Sequence, residues 1–181
     1  EKGMEWQQAL GLLSEMRQIC LKPDVITCSA AISACEKASE WRQALSLLAE
    51  MLRSGIKLDV VTYNAAISAC DKGEQWEQAL GILTDMQMSH LEPDVITYSA
   101  SICACAKGGE WQQALSLLAE MRQSRVKLDV IACSAAISAC EKASEWQQAL
   151  SMLTEMRRSG FKLDVVTCNA AISACEKGEQ W

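Results

Sequence analysis

VVTYNAAISACDKGEQWEQALGILTDMQMSHLEPD, residues Val60–Asp94, is a repeating unit, and close copies of it make up the rest of the chain. Tryptophan marks the period, since the six tryptophans are spaced 35 residues apart: Trp6, Trp41, Trp76, Trp111, Trp146 and Trp181. A fixed period of this length is typical of repeat proteins, in which each repeat is one supersecondary unit. We therefore interpret residues 1–181 as a single array of full repeats 1 to 4 (25–59, 60–94, 95–129 and 130–164) between partial repeats 1–24 and 165–181.

Each repeat contains two segments whose apolar residues recur at helical spacing. In repeat 1 the first segment, about residues 26–37, places Cys28, Ile32 and Cys35 on one stripe. The second segment, about residues 40–54, carries its apolar stripe at five positions: Trp41, Ala44, Leu45, Leu48 and Met51. A single helical hairpin cannot bury both stripes, but stacked hairpins can. The pattern predicts an all-α fold, a right-handed α–α superhelix (solenoid) of stacked helical hairpins, with Trp76 and Trp111 buried between layers.

The cysteines follow the period of the repeats. Five of them occupy one place: Cys35, Cys70, Cys105, Cys140 and Cys175. Three more occupy a second place, which tyrosine takes in repeats 2 and 3: Cys28, Cys133 and Cys168, against Tyr63 and Tyr98. Cysteines in such a pattern behave as small apolar core residues. Packed helices lie roughly 8–10 Å apart, which exceeds the roughly 7 Å Cα limit of a disulfide, so we expect free thiols.

The sequence lacks the residues that several classes of function require. The chain has one histidine, so it offers no Ser-His or Cys-His pair for nucleophilic catalysis. It contains no Cys-x-x-Cys pair, and no apolar run reaches the roughly 18 residues of a membrane span. The net charge of −6 argues against a strong general nucleic-acid binder, which is usually basic. We predict a binding protein without enzymatic activity, metal, cofactor, small-molecule substrate or membrane partner.

The repeat resembles the pentatricopeptide repeat family over the whole chain. In repeat 2 the resemblance lies in Val60-Val61-Thr62-Tyr63-Asn64, Lys72-Gly73, Ala79-Leu80, Met86 and Glu92-Pro93-Asp94, and repeat 3 shows the same pattern from Val95-Ile96-Thr97-Tyr98-Ser99 onward. The tetratricopeptide repeat fits less well, because its period is 34 and its tryptophan lies in the first helix. The resemblance implies binding of single-stranded RNA, about one base per repeat, by two or three side chains in each repeat.

The resemblance also implies roles for individual residues. A polar residue on the first helix and the last residue of the repeat would read each base: Ser29 with Asp59, Asn64 with Asp94, Ser99 with Asp129, Ser134 with Asp164, and Asn169 alone. An apolar residue near the helix start would pack on the base faces: Ile26, Val61, Ile96, Ile131 and Val166. A lysine at the helix end would face phosphate: Lys37, Lys72, Lys107, Lys142 and Lys177.

By analogy with the family, Asn with Asp favours uracil and Ser with Asp favours guanine, which implies the target 5′-GUGG-3′. Five lysine–phosphate contacts would give a salt slope of about −3.5. The family further implies a longer factor in the mitochondrion or chloroplast that acts in RNA processing, stability or editing.

Other interpretations of the same residues remain open at this point. Each closing aspartate could cap the next helix, the Ser and Asn residues could be plain exposed helix residues, and the Val and Ile residues could be interlayer core. The lysines could be ordinary surface charges. The main alternative function is a protein-interaction scaffold that binds a peptide in its concave groove, with possible protein partners also at the ends of the array.

Overall fold

The fold is described from a computed structural model, which covers residues 5–178. Within that range the chain forms ten α-helices and no β-strand: α1 (Glu5–Gln18), α2 (Val25–Lys37), α3 (Trp41–Arg53), α4 (Val60–Lys72), α5 (Trp76–Met88), α6 (Val95–Gly108), α7 (Trp111–Gln123), α8 (Val130–Lys142), α9 (Trp146–Arg158) and α10 (Val165–Lys177). The even-numbered helices are the first helices of their repeats, and the odd-numbered helices are the second. The predicted all-α fold of helical hairpins is confirmed. Trp181 lies outside the described residues.

The contacts divide the chain into two compact units, Glu1–Pro93 and Asp94–Trp181. In the first unit, α2 packs against α4, and the second helix α3 contacts both of them. In the second unit, α8 packs against α6 and α10, while α7 contacts α6 and α8, and α9 contacts α8 and α10. Within each unit, a second helix therefore packs against its own first helix and against the first helix of the next repeat.

The buried positions of the first helices carry alanine, cysteine and isoleucine. Ala66, Ile67 and Cys70 of α4 are completely buried, as are Ile137 and Cys140 of α8. Burial raises the pKa of the Cys70 thiol to about 12 and that of the Cys140 thiol to about 11, so both stay neutral and apolar. The predicted core role is confirmed for the six buried cysteines Cys28, Cys35, Cys70, Cys105, Cys133 and Cys140, whereas Cys168 and Cys175 are half-buried. All ten cysteines are free thiols.

The second helices bury a wider face than their predicted stripe. In α3, Leu47 and Leu48 are buried, whereas Leu45 and Trp41 are only half-buried. The prediction missed Leu47 because it assumed one packing partner, and contact with two first helices widens the buried face.

The predicted burial of Trp76 and Trp111 between layers is wrong, since both side chains are half-buried. The position of Trp41 explains the difference, because its indole lies against the end of α4, where a Cβ added at Gly73 would collide with it. The guanidinium of Arg42 lies 4.6 Å from the centre of the Trp41 ring. At this edge of the second helix the ring therefore packs on the next repeat and on Arg42.

The second helices end in a left-handed residue at one fixed place in the repeat. Gly55 and Gly160 adopt positive φ there, and so do His90 and Arg125, with φ of 57° each. At the end of α7, Arg125 N–H donates to the carbonyl of Arg122, and Val126 N–H donates to the carbonyl of Met121, which is the Schellman arrangement. Glycine adopts this conformation without the Cβ strain that arginine and histidine carry.

Replacing Arg125 by glycine is expected to stabilise the protein by about 1 kcal/mol, because the strain of a left-handed arginine disappears. The reciprocal change at the same place in repeat 4, Gly160→Arg, should destabilise it by a similar amount. Urea unfolding followed by circular dichroism measures both variants. Equal effects of the same sign would show that the backbone conformation at this place does not limit stability.

Candidate functional site

The five predicted base readers occupy one place, the fifth residue of each first helix, but they differ in exposure. Asn64 and Ser99 are only 8% and 7% exposed, Ser29 and Ser134 are half-buried, and Asn169 is exposed. The alternative that all of them are plain exposed helix residues is therefore wrong for Asn64 and Ser99. In each unit these residues lie on first helices that pack side by side.

The closing aspartates are N-caps. The Oδ1 atom of each accepts a hydrogen bond of 2.7–2.9 Å from the backbone N–H of the third residue of the following helix: Asp24, Asp59, Asp94, Asp129 and Asp164. Hydrogen bonds from the side chain and backbone of Thr167 hold the pKa of Asp164 below its ordinary value. The capping interpretation is confirmed. A carboxylate has a second oxygen, so a cap can still accept a hydrogen bond from a ligand.

A threonine hydroxyl connects the reader of one repeat to its closing aspartate. Ser29 Oγ hydrogen-bonds to Thr62 Oγ1, and Thr62 Oγ1 donates to Asp59 Oδ1 over 2.6 Å. Because the only hydrogen of Thr62 Oγ1 goes to Asp59, Ser29 is the donor to Thr62.

Repeat 4 has the same connection to the helix that follows it. Ser134 Oγ lies 2.7 Å from Thr167 Oγ1, and Thr167 also hydrogen-bonds to Asp164 through its side chain.

Repeat 3 makes the same connection without a threonine. Ala132 stands at the place of Thr62 and Thr167, so no hydroxyl separates the reader from the aspartate. The single hydroxyl hydrogen of Ser99 is instead shared between two acceptors, the carbonyl of Val95 at 2.7 Å and Asp129 Oδ1 at 3.0 Å. Direct or bridged, the serine and the closing aspartate form one polar group in these repeats.

The predicted base-stacking residues project into solvent. Their exposed fractions range from 56% for Ile96 to 75% for Ile26, with Val61, Ile131 and Val166 between these values. The alternative that these residues form interlayer core is wrong, and each could present a stiff apolar surface to a flat ring.

The lysines at the ends of the first helices are largely engaged with the preceding repeat. Lys72 pairs with Glu36, and Lys177 Nζ lies 2.9 Å from Glu141 Oε1. The hydrogen bond from Lys177 also lowers the pKa of Glu141.

In repeat 3, Ala106 takes the place of that glutamate. Lys142 of repeat 4 instead donates from Nζ to the carbonyls of Ala106 and Lys107, at 2.9 and 3.2 Å. A cation at a helix C-terminus is favourable. Lys37 forms no ion pair with any of residues 5–178. The predicted phosphate ligands are therefore in part structural pairs between repeats.

A groove with a volume of about 410 Å³ lies between α8 and α10. It brings together the predicted reader Ser134, the predicted stacking residue Val166 and the reader Asn169 of the following repeat. Its other walls come from residues that the sequence analysis did not select: Ser138, Glu141, Thr167, Ala170 and Ser173. The groove can hold a planar polar ring beside an exposed apolar side chain.

Sequence reasoning missed two groups in this region. The threonines at the third helical residue were overlooked, although their spacing from the preceding aspartate is that of a capping box, which Asp94 and Thr97 complete. The second group is the serine that donates to the preceding repeat, as Ser173 Oγ does to Glu141 Oε1 over 2.9 Å. No signal within one repeat identifies that contact.

Residues 5–178 contain neither a cluster of metal-binding side chains nor a membrane-spanning helix. No three His, Cys, Asp or Glu side chains in this range come together in a way that could hold a metal ion. No helix in the range has the length and apolar character that crossing a membrane requires.

Two family profiles match the chain. The profile described as pentatricopeptide repeat domain matches residues 11–72 and 46–108. The profile described as PPR repeat family matches residues 93–142 and 128–177. None of the curated proteins compared with the chain matches it.

Several solved structures are similar to the chain. The pentatricopeptide repeat protein PPR10 from maize is 26% identical, with a TM-score of 0.69 over 97% of this chain. PPR10 in complex with an 18-nt psaJ RNA element is 27% identical, with a TM-score of 0.76. The PPR domain of Arabidopsis thaliana protein-only RNase P 1 in complex with tRNA has a TM-score of 0.83 at 14% identity, and 91% of that domain is covered. The chain spans about a quarter of the PPR10 chain, 25–26%.

Removing the cap at Asp59 is expected to destabilise the protein by about 1 kcal/mol, because the backbone N–H of Thr62 loses its acceptor. Asp59→Asn keeps an oxygen at that position and should cost less than half as much as Asp59→Ala. Urea unfolding of both variants measures the difference. Equal losses would show that the charge of Asp59, and not its hydrogen bond, stabilises α4.

Proposed function

Since the chain belongs to the pentatricopeptide repeat family, we propose that it binds single-stranded RNA and that each repeat reads one base. The observation that carries this proposal is the hydrogen-bonded pair of a first-helix serine and a closing aspartate. We further propose that residues 1–181 act as one array within a longer organellar factor, in the mitochondrion or chloroplast, for RNA processing, stability or editing. The chain itself would bind without catalysing a reaction.

The direction of the hydrogen bonds supports a preference for guanine at the serine repeats. Ser29 and Ser99 each donate their hydroxyl hydrogen within the protein, so only their lone pairs remain for a ligand. The closing aspartate also only accepts hydrogen bonds. Guanine carries two neighbouring donors, N1–H and N2–H₂, on its Watson–Crick edge. A pair of acceptors therefore complements guanine better than it complements the other bases.

Asn64 differs from the serines because its amide carries both a donor and an acceptor. Uracil presents N3–H between two carbonyl oxygens, and an amide can serve one donor and one acceptor of that edge. Repeat 2 is thus expected to prefer uracil, and the proposed target stays 5′-GUGG-3′ for repeats 1 to 4.

The exposed Val and Ile residues support a role in holding the base faces. Ile26 and Val61 are 75% and 64% exposed, each three residues before a reader on the same helix. Residues at this spacing lie on one side of a helix. An unstacked base could therefore contact the apolar side chain with its face and the polar reader with its edge.

PPR10 supports RNA as the class of ligand, since it has been solved in complex with an RNA element and is 27% identical to this chain. The net charge of −6 makes a phosphate-dominated interaction unfavourable. Selectivity would then come mainly from the base edges, while phosphate contacts contribute little to affinity.

Binding of an RNA centred on GUGG should exceed binding of its scrambled version at low salt, as measured by fluorescence anisotropy. Asn64→Ser should move the preferred base at the second step from uracil to guanine. The matched variant Ser134→Asn should make the opposite change at the fourth step, from guanine to uracil. The expected discrimination at each changed step is about 10-fold, equivalent to about 1.4 kcal/mol.

Two results would contradict the proposal. Equal affinity for GUGG and scrambled RNA would reject base reading altogether. A uniform loss of affinity at all four steps in Asn64→Ser, without a change of preferred base, would assign Asn64 a structural role.

The dependence of affinity on salt should be weak. Lys72, Lys142 and Lys177 are engaged within the protein, so fewer than five lysines can contact phosphate without opening these pairs. The slope in a plot of log K against log salt should therefore be shallower than the value of about −3.5 that corresponds to five contacts. A measured slope near −3.5 would show that the ion pairs between repeats open when RNA binds.

A further inference from the structure

The place that alternates between tyrosine and cysteine has a defined polar environment in repeat 3. Tyr98 is 1% exposed, and its hydroxyl donates to Glu120 Oε1 over 3.1 Å. The same hydroxyl lies 3.3 Å from Ser124 Oγ. Burial raises the pKa of Tyr98, so the phenol stays protonated and able to donate. The buried space between α6 and α7 is thus filled by the neutral side chain of Tyr98.

Repeat 1 keeps this environment but lacks the phenol. Cys28 stands where repeat 3 has Tyr98, while Glu50 and Ser54 stand where repeat 3 has Glu120 and Ser124. A cavity of about 280 Å³ opens beside Cys28, and Glu50 and Ser54 line it. Leu47, Met51 and Ile56 supply its apolar walls. The cavity therefore has an apolar wall and the two groups that contact the tyrosine hydroxyl in repeat 3.

An arginine accompanies the cysteine wherever the tyrosine is missing. Arg17, Arg122 and Arg157 occupy one place, before Cys28, Cys133 and Cys168, whereas Leu52 and Gln87 occupy it before the two tyrosines. Arg17 pairs with Glu50 over 2.7 Å, and Arg122 pairs with Glu155 over 2.6 Å. Both members of the Arg17–Glu50 pair are about 40% exposed (43% and 38%), so the cavity is open to solvent on this side.

We propose that the cavity beside Cys28 is a binding site for a small neutral phenol. The ring occupies the volume that the tyrosine ring fills in repeat 3, against Leu47 and Met51. The hydroxyl donates to Glu50 and contacts Ser54, as Tyr98 does with Glu120 and Ser124. An engineered apolar cavity of about 150 Å³ is enough to bind benzene, so the volume beside Cys28 accommodates one phenol ring. The site is independent of the proposed RNA groove.

Repeat 4 provides a matched control for this site. It carries the same Cys133, Glu155 and Ser159, but Phe161 stands in place of Ile56. Phe161 places a larger ring than Ile56 at that position.

In repeat 2 a cavity of about 140 Å³ lies at the same place beside Tyr63, half the volume found beside Cys28, and Ser89 lines it without a carboxylate. We therefore expect a single phenol site per chain.

The test titrates the full chain with phenol and records the melting temperature and the stoichiometry by calorimetry. Wild type and Cys133→Tyr should bind one phenol and melt at a higher temperature with increasing ligand. Cys28→Tyr should melt higher without ligand and show no phenol-dependent shift, because the new ring takes up about half of the cavity, as Tyr63 does in repeat 2, and its hydroxyl occupies Glu50. A phenol-dependent shift in folded Cys28→Tyr equal to that of wild type would overturn the proposal.

A second pair of variants tests the hydroxyl and does not depend on folding of the tyrosine variants. Glu50→Gln should weaken phenol binding about 10-fold, because a hydrogen bond to a charged acceptor becomes one to a neutral acceptor. Glu155→Gln, at the same place in repeat 4, should leave the affinity unchanged. Benzene should bind more weakly than phenol to wild type. Equal affinities of benzene and phenol, or equal losses in the two glutamine variants, would show that Glu50 does not recognise a hydroxyl.

Discussion

The close packing of consecutive first helices is the interaction on which the other features depend. The buried positions of these helices carry alanine, cysteine and isoleucine, as in the completely buried Ala66, Ile67 and Cys70. Small side chains such as alanine and cysteine let helix backbones approach, and neutral thiols behave there as apolar groups. The same approach brings Ser29 to Thr62 and Ser134 to Thr167, so the core packing also sets the geometry of the proposed base readers.

The closing aspartate contributes both to the stability of the next helix and to the proposed recognition of a base. One carboxylate oxygen caps the next helix, as Asp59 does for α4, and fixes the carboxylate in position. The bridging hydroxyl of Thr62 then accepts the hydrogen of Ser29 and leaves its lone pairs for a ligand. Such a fixed side chain loses little conformational freedom when a ligand binds, and this lowers the free-energy cost of recognition. Repeat 3 reaches a similar arrangement by a direct bond between Ser99 and Asp129, because Ala132 lacks the hydroxyl.

The repeats resemble one another in sequence but differ in their internal chemistry. A tyrosine in repeats 2 and 3 occupies a place that a cysteine holds in repeats 1 and 4. The shorter side chain leaves Glu50 beside a cavity and paired with Arg17, whereas Glu120 accepts a hydrogen bond from Tyr98. The change from tyrosine to cysteine, together with the arginine that accompanies it, therefore changes the ion pairs and the internal volume while the helical hairpin stays the same.

Patterns within one repeat were enough to predict the period, the family, the all-α hairpins and most of the buried cysteines. Asp59 and Gly55 marked where a helix starts and ends for the same reason: caps are local. The structure was needed to show that Trp41 lies half-buried against the end of α4, that Lys72 pairs with Glu36, and that Thr62 bridges Ser29 to Asp59. These contacts join residues about one period apart. They depend on the distance and rotation between consecutive repeats, which the spacing of apolar residues within a repeat does not encode.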